Sequence, residues 1–479
     1  MTKWNKKHVY PRPVLWALFL LCSCEIQELP DPSTPSEEQT TNEWIEQTMR
    51  LYYLWDDEIP ESKRLNFGQE AEPFFLSLLT RKDGKTDDDG THYFYSSINK
   101  KSPSSATKSY LGEGNSFGFE FQYYYIQNLR IYALLTLYVL PDSPADKEGL
   151  KRGDWIVKIN NKAVPGDAQS LLKALDTTSP VPVSFGIERK LNDPSSATTK
   201  TLTAAKVTDN PVFVNKVIAY GKKKVAYLAY NHFTAGPTEE SGDELFNHTL
   251  RQAFREFKKA SPDAFVLDLR YNGGGLVSCA QLLATLLAPA SALDDVFCKL
   301  TYNGQNNKYP KQQELRLDTK LAGSDNLNLS TLFVITSQRT ASASEAVING
   351  LKPYLNANLI IVGDTTEGKN VGSLTFDDDA YDWELHPIVS RLSNKEGFSD
   401  YANGFVPDVF CDEKKAVTYY DLGDEREYML EPILKYIADG TPIQETVAAT
   451  LRSSGPLLER IPVYNSLDRK KTNAVVLDR

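Results

Sequence analysis

Apolar and polar positions along the second half of the chain alternate in blocks. Short, nearly continuous apolar runs occupy residues 223–233 (KKVAYLAYNHF), 263–272 (DAFVLDLRYN), 330–337 (STLFVITS) and 358–364 (NLIIVGD). Between them lie longer stretches with apolar residues at helical spacing, notably 276–288 (LVSCAQLLATLLA) and 341–355 (ASASEAVINGLKPYL). Buried strands alternating with helices predict an α/β domain with a mainly parallel sheet covered on both faces. Ligands of such sheets sit beyond the carboxyl ends of the strands. Three segments follow predicted strand ends there: DLRYNGGG (268–275), TASASE (340–345) and GDTTEGKN (363–370). They are expected on one edge of the sheet. Upstream, residues 42–60 space Trp44, Ile45, Met49, Tyr52 and Leu54 as one helix face, and EPFFLSLL (72–79) suggests a second helix. A small helical cap domain over 42–110 is expected, its aromatic stripe serving as core. Residues 140–164 (LPDSPADKEGLKRGDWIVKINNKAV) read as a short helix, a turn at Gly153, a strand, a turn at Asn160 and Asn161, and a returning strand.

The N-terminus breaks this pattern. Lys3, Lys6, Lys7 and Arg12 precede a short apolar run, 14–21 (VLWALFLL), as in a secretory signal. The run leads into LCSC (21–24), which resembles a bacterial lipobox. The expectation is a lipoprotein signal peptide over 1–23 and lipidation of Cys24, whose acyl chains would anchor the protein in a membrane. The Pro-, Ser- and acid-rich residues that follow predict a flexible tether over 24–41. Cys22 would leave with the signal, and Cys279, Cys298 and Cys411 are expected to be buried free thiols.

A length of 479 residues predicts several domains. A net charge of −10 disfavours nucleic acid as a partner. There is no CxxC pair, HExxH motif or Cys/His cluster, so neither a metal nor another cofactor is expected.

TASASE supports two compatible readings. Ser342 and Glu345 have capping-box spacing, and a nucleophilic serine at a strand-to-helix turn has the same local sequence. Ser342 and Ser344 are both candidates, but two residues along a helix turn a side chain by about 200°, so only one can face a given base. His232, His248 and His386 have no carboxylate partner that the sequence points to. Lys369, one strand beyond Ser342 on the same edge, is the alternative base, provided that burial leaves it neutral.

These segments carry two resemblances. Residues 111–207 resemble a PDZ domain, with NSFGFEFQ (115–122) in place of the carboxylate-binding loop. Phe117, Gly118 and Phe119 would then form the peptide-binding pocket. DLRYNGGGL, TASASE, VGDTTEGKN and GFVPD (404–408) occur in the order that C-terminal processing peptidases, or tail-specific proteases, have them. The resemblance implies a Ser/Lys endopeptidase with a crotonase-like (ClpP-like) αβ core over 208–440 and a C-terminal extension over 441–479. It assigns Ser342 as nucleophile and Lys369 as general base. The oxyanion hole would be the N–H of Ala343 with that of Gly273 or Gly274. It further implies protein or peptide substrates with free C-termini, and the lipobox-like N-terminus adds an expected cell-envelope location, periplasm-facing or surface-exposed, as a lipoprotein. One departure stands out: the family's lysine-orienting glutamine is replaced by Ser373. That replacement favours an alternative reading, a weak or inactive peptide-binding protein on the same scaffold.

Overall fold

A computed structural model describes residues 36–86, 90–101, 114–238, 242–305, 310–444, 459–470 and 475–476. The signal peptide, Cys24 and most of the tether lie outside the described residues. Helix α1 (Glu37–Tyr52) starts earlier than expected, so 37–41 are helical rather than tether. The physical reason is local: Ser36 Oγ accepts from Gln39 N–H at 3.2 Å, and Glu37 and Glu38 sit at the positive end of the helix.

α1 and α2 (Ala71–Ser77) bury Ile45, Met49, Phe74 and Phe75 together. The N-terminal domain is mixed rather than purely helical. Its strand Ser97–Lys100 pairs antiparallel with Trp383–His386, and its core runs on into Val371, Leu385 and Ile388. This pairing joins the domain to the α/β core.

The PDZ sheet is built from β1 (Phe119–Ile126), β2 (Ile131–Val139), β3 (Trp155–Ile159), β4 (Val183–Glu188) and β5 (Thr198–Leu202), in the order β5-β4-β3-β2-β1. The predicted helix is Pro144–Lys147, capped by Ser143, whose Oγ accepts from Asp146 N–H at 3.1 Å. Asn160 and Asn161 have φ of 49° and 61°, the left-handed pair that a tight hairpin turn demands.

The core sheet runs β6 (Val212–Tyr220), β7 (Lys223–Tyr230), β8 (Ala264–Asp268), β9 (Leu332–Thr336) and β10 (Leu359–Gly363), ending at the short strand Val409–Phe410. β6 and β7 are antiparallel; the remaining neighbours are parallel. α3 (Leu245–Ala260), α4 (Val277–Leu287) and α5 (Ala343–Leu355) cover one face. α6 (Leu430–Asp439), with Leu137, Tyr138 and Leu140 of the PDZ domain, covers the other. A second sheet carries β11 (Val371–Ser373) between Ile388–Ser393 and the residues Val475–Val476.

A buried charge network fastens the PDZ domain to the core. Arg152 donates to Tyr271 Oη at 2.6 Å and to the Tyr420 carbonyl at 2.8 Å, and it pairs with Glu413. Arg270 forms ion pairs with Asp268, Glu413 and Glu427, each at 2.7 Å. Cys279, Cys298 and Cys411 are buried free thiols, as expected. Burial pushes the Cys298 thiol up to about 12, which keeps it protonated. Among the described residues no helix is long and apolar enough to cross a membrane.

Candidate active site

The three segments predicted for one sheet edge meet there. Beyond β9, Thr340 Oγ1 donates to the Leu269 carbonyl at 2.8 Å, and Ala341 N–H donates to the Asn272 carbonyl at 3.1 Å. Those bonds hold the turn before α5 against the turn after β8. Ser342 sits at the crest with φ 63°, a left-handed conformation that is uncommon for a residue with a side chain and recurrent at functional turns. Its N–H donates to Glu345 Oε2 at 2.8 Å, the glutamate half of the predicted capping box. Its Oγ stands in capping position but makes no hydrogen bond, although it is fully buried. Ser344 differs: its Oγ donates to the Asn272 carbonyl at 3.1 Å. Of the two serines, Ser342 alone keeps an unengaged hydroxyl.

The glycine turn after β8 is fixed by Asn272. Its Nδ2 donates to the Tyr230 carbonyl at 2.7 Å, and its Oδ1 accepts from Gly274 N–H at 2.9 Å. Gly274 has φ 109°, and a Cβ there would lie 2.6 Å from Ser342 Cβ. Only glycine allows this approach. Gly273 lies between Asn272 and Gly274 in the same turn. Ala343 opens α5, so its N–H has no acceptor within the helix.

Lys369 is 4% exposed, and its Nζ lies 5.0 Å from the centre of the Tyr95 ring. Nζ and Ser342 Oγ are not hydrogen-bonded to each other. Their backbones, however, share one carboxylate. Glu345 Oε2 accepts from Lys369 N–H at 2.8 Å as well as from Ser342 N–H, while Oε1 accepts from Gly368 N–H at 2.7 Å and Thr366 Oγ1 at 2.6 Å. Burial pushes the Glu345 carboxyl up to about 7 against the pull of those four donors. Thr366 Oγ1 in turn accepts from Phe405 N–H at 2.7 Å, which places the GFVPD segment over the lysine loop. The N-terminal domain contributes Tyr95, together with Tyr93 and Lys85, which donate to the Glu367 carboxylate and carbonyl.

The other candidates fall elsewhere. Ser373 is buried on β11 next to the lysine loop, with no hydrogen bond to Lys369. His232 does have an aspartate beside it, but Nε2 faces the Asp209 carbonyl at 3.0 Å and Nδ1 faces Thr234 Oγ1 at 2.7 Å. Neither nitrogen is directed at a serine. His248 is exposed on α3, and His386 Nδ1 faces Thr375 Oγ1 at 3.1 Å. Phe117 and Phe119 pack on Phe185 inside the PDZ core, with ring centres 5.4 and 5.8 Å away. Gly118 N–H donates to Ser116 Oγ at 2.9 Å. Sequence reasoning missed Asn272, Thr366 and Tyr95, and it read Glu345 only as a cap. The asparagine before GGG in DLRYNGGG was the one local signal available for Asn272.

Comparison with known proteins places this architecture. A family model described as peptidase family S41 matches residues 224–409, the peptidase S41 N-terminal domain matches 40–97, and a PDZ domain matches 136–189. A solved structure from Bacteroides fragilis, assigned to the S41 proteases, is 31% identical with a TM-score of 0.70, covering 82% of this chain and 97% of its own. The chain belongs to peptidase family S41. Among curated S41 relatives, the chloroplastic C-terminal processing peptidase of Tetradesmus obliquus is 29% identical over 58% of this chain and 57% of its own length. The carboxyl-terminal-processing protease of Picosynechococcus is 24% identical over 67% of this chain and 71% of its own. The chain is thus a serine-type S41 peptidase fold with an N-terminal domain and a PDZ domain.

Proposed function

We propose that this chain is a carboxyl-terminal-processing endopeptidase in which Ser342 attacks and Lys369 is the general base. One observation carries the reading: a single buried carboxylate, Glu345, takes the backbone N–H of both residues, while the Ser342 hydroxyl is left unengaged. Neutral Lys369 takes the Ser342 proton as Oγ adds to the scissile carbonyl. It then returns that proton to the leaving amine, and water releases the acyl group from Oγ. The Ala343 N–H and a glycine-turn N–H stabilise the oxyanion, each donor worth about 10²–10³ in rate. That glycine is Gly273 or Gly274, the latter after its N–H leaves Asn272. For turnover Nζ moves from the Tyr95 face to Ser342 Oγ, so the described arrangement is a resting one. Ser373 is a short-reach orienting group for Lys369. Substrates are unfolded or exported proteins recognised at their C-termini by the PDZ domain around Phe117, Gly118 and Phe119, with Cys24 lipidated to hold the enzyme at the cell envelope.

The test is cleavage of an unfolded protein by the full chain. Ser342→Ala and Lys369→Ala are each expected to lose at least about 10³ in kcat/KM. Unchanged cleavage in either variant contradicts the assignment. The separation of Nζ from Ser342 Oγ favours one other reading, a peptide-binding protein without turnover, which predicts C-terminal peptide binding and no cleavage by the unmutated chain.

A further inference from the structure

The free edge of the PDZ sheet is already occupied. Strand Arg460–Asn465 pairs antiparallel with β1 on the side away from β2, with Arg460 opposite Ile126 and Asn465 opposite Gln122. Side chains secure the register: Asn465 Nδ2 donates to Gln122 Oε1 at 2.6 Å, and Gln122 Nε2 donates to the Tyr464 carbonyl at 2.9 Å. Phe121 N–H donates to Ser466 Oγ at 2.7 Å, and that hydroxyl donates to Glu120 Oε2 at 2.6 Å. An extended peptide adds to a PDZ domain as an extra strand on an open edge. The loop at 116–119 precedes β1, so a peptide whose carboxylate sits in that loop runs antiparallel to β1. The tail strand lies on the same edge in the same sense.

Beyond Ser466 the segment turns toward the catalytic edge. Leu467 is buried in the cluster that contains Leu137 and Tyr271, and Asp468 pairs at 2.6 Å with Arg339 in the loop leading to Ser342. Val475 and Val476 then run parallel to β11, opposite Gly372 and Ser373, beside the lysine loop. Pro462, Asn465 and Asp468 form one wall of a cavity of about 390 Å³ whose other walls include Gln122, Ser337 and Glu367. Residues 460–465 therefore cover the strand edge of the PDZ domain, and residues 475–476 cover the strand edge beside Lys369.

We propose that residues 459–470 and 475–476 are built-in occupants of the substrate track, which an incoming polypeptide must displace, strand for strand, from β1 and β11. The proposal rests on the peptidase reading for its consequence, a self-restrained enzyme, but not for the displacement itself. Exchanging one edge strand for another conserves the ladder of hydrogen bonds, so the exchange is driven by differences in side-chain fit and concentration.

The test uses the full chain carrying Tyr125→Cys with Ile461→Cys, opposite partners in the ladder. Oxidation is expected to lower kcat/KM on an unfolded protein at least about tenfold, with recovery on reduction. Ser466→Ala, which releases Phe121 N–H, is expected to lower KM about fivefold. A second readout does not depend on turnover. A fluorescein-labelled synthetic peptide with the sequence of residues 459–470 is titrated into the Ser342→Ala chain carrying the cysteine pair, where binding is expected only in the reduced state. Equal cleavage and equal peptide binding by oxidised and reduced protein overturn the proposal while leaving the peptidase reading intact. Redox-dependent peptide binding with no cleavage by any form supports the displacement and contradicts the peptidase reading.

Discussion

At the PDZ joint Glu413 accepts from Arg152, Arg270 and the Tyr271 hydroxyl. At the candidate catalytic edge Glu345 accepts from three backbone N–H groups and the Thr366 hydroxyl. Burial raises the pKa of both. At Glu413 the two guanidiniums outweigh it and hold the carboxyl down to about 2, whereas at Glu345 the neutral donors do not, and it stands at about 7. Full positive charges compensate a buried carboxylate; backbone dipoles alone leave it close to its titration point. The joint is consequently fixed across the neutral range, while the catalytic edge has a group that changes charge within it. That contrast suits a rigid bracket for the PDZ domain beside a site that, in the proposed mechanism, rearranges to bring Lys369 to Ser342.

The contrast yields four outcomes of decreasing size. Arg270→Ala strands Asp268 and Glu427 inside the core and is expected to cost about 3–5 kcal/mol in urea unfolding. The second is a pH effect. Below its ordinary value of 4.5 Glu345 is protonated whether folded or unfolded, and its contribution to stability is fully present. As pH rises from there through about 7 the unfolded chain gives up the proton first, so stability falls, by at most about 3 kcal/mol. Glu345→Gln should flatten that slope. Glu413 has the opposite sign: its contribution is present above 4.5 and lost as pH falls toward 2. If wild-type stability does not decline between pH 5 and pH 7 relative to Glu345→Gln, the contrast between the two carboxyls fails. Third, Glu345→Gln replaces an acceptor oxygen by a donor facing N–H groups, and is expected to lower kcat about tenfold to a hundredfold in a steady-state cleavage assay. Fourth, if position 373 orients Lys369 as proposed, Ser373→Gln supplies a longer-reaching group, with kcat expected to rise by less than about tenfold and KM to stay unchanged.

The legible parts of this molecule were those written within one strand–turn–helix unit. The alternation around β8, β9 and β10 was enough to bring DLRYNGGG, TASASE and GDTTEGKN to one edge, because parallel strands present their carboxyl ends together. The hairpin at Asn160 and Asn161 was equally local. What escaped depended on distant partners. Glu345 looks complete as a cap, and nothing near it in sequence announces its bonds to Thr366, Gly368 and Lys369. Tyr95 reaches Lys369 from another domain. The tail strand is short and contains Pro462, which argues against a central strand and fits the edge position that it takes on β1. Ser342 and Ser344 share one local pattern, and only the acceptor at Asn272 distinguishes them.

The most direct measurement of the central claim is mass spectrometry of the acid-quenched full chain after brief mixing with a peptide substrate. An acyl adduct on the proteolytic fragment containing Ser342, located to that residue and absent in Lys369→Ala, is the predicted result. An adduct on Ser344, or an undiminished adduct in Lys369→Ala, would contradict it.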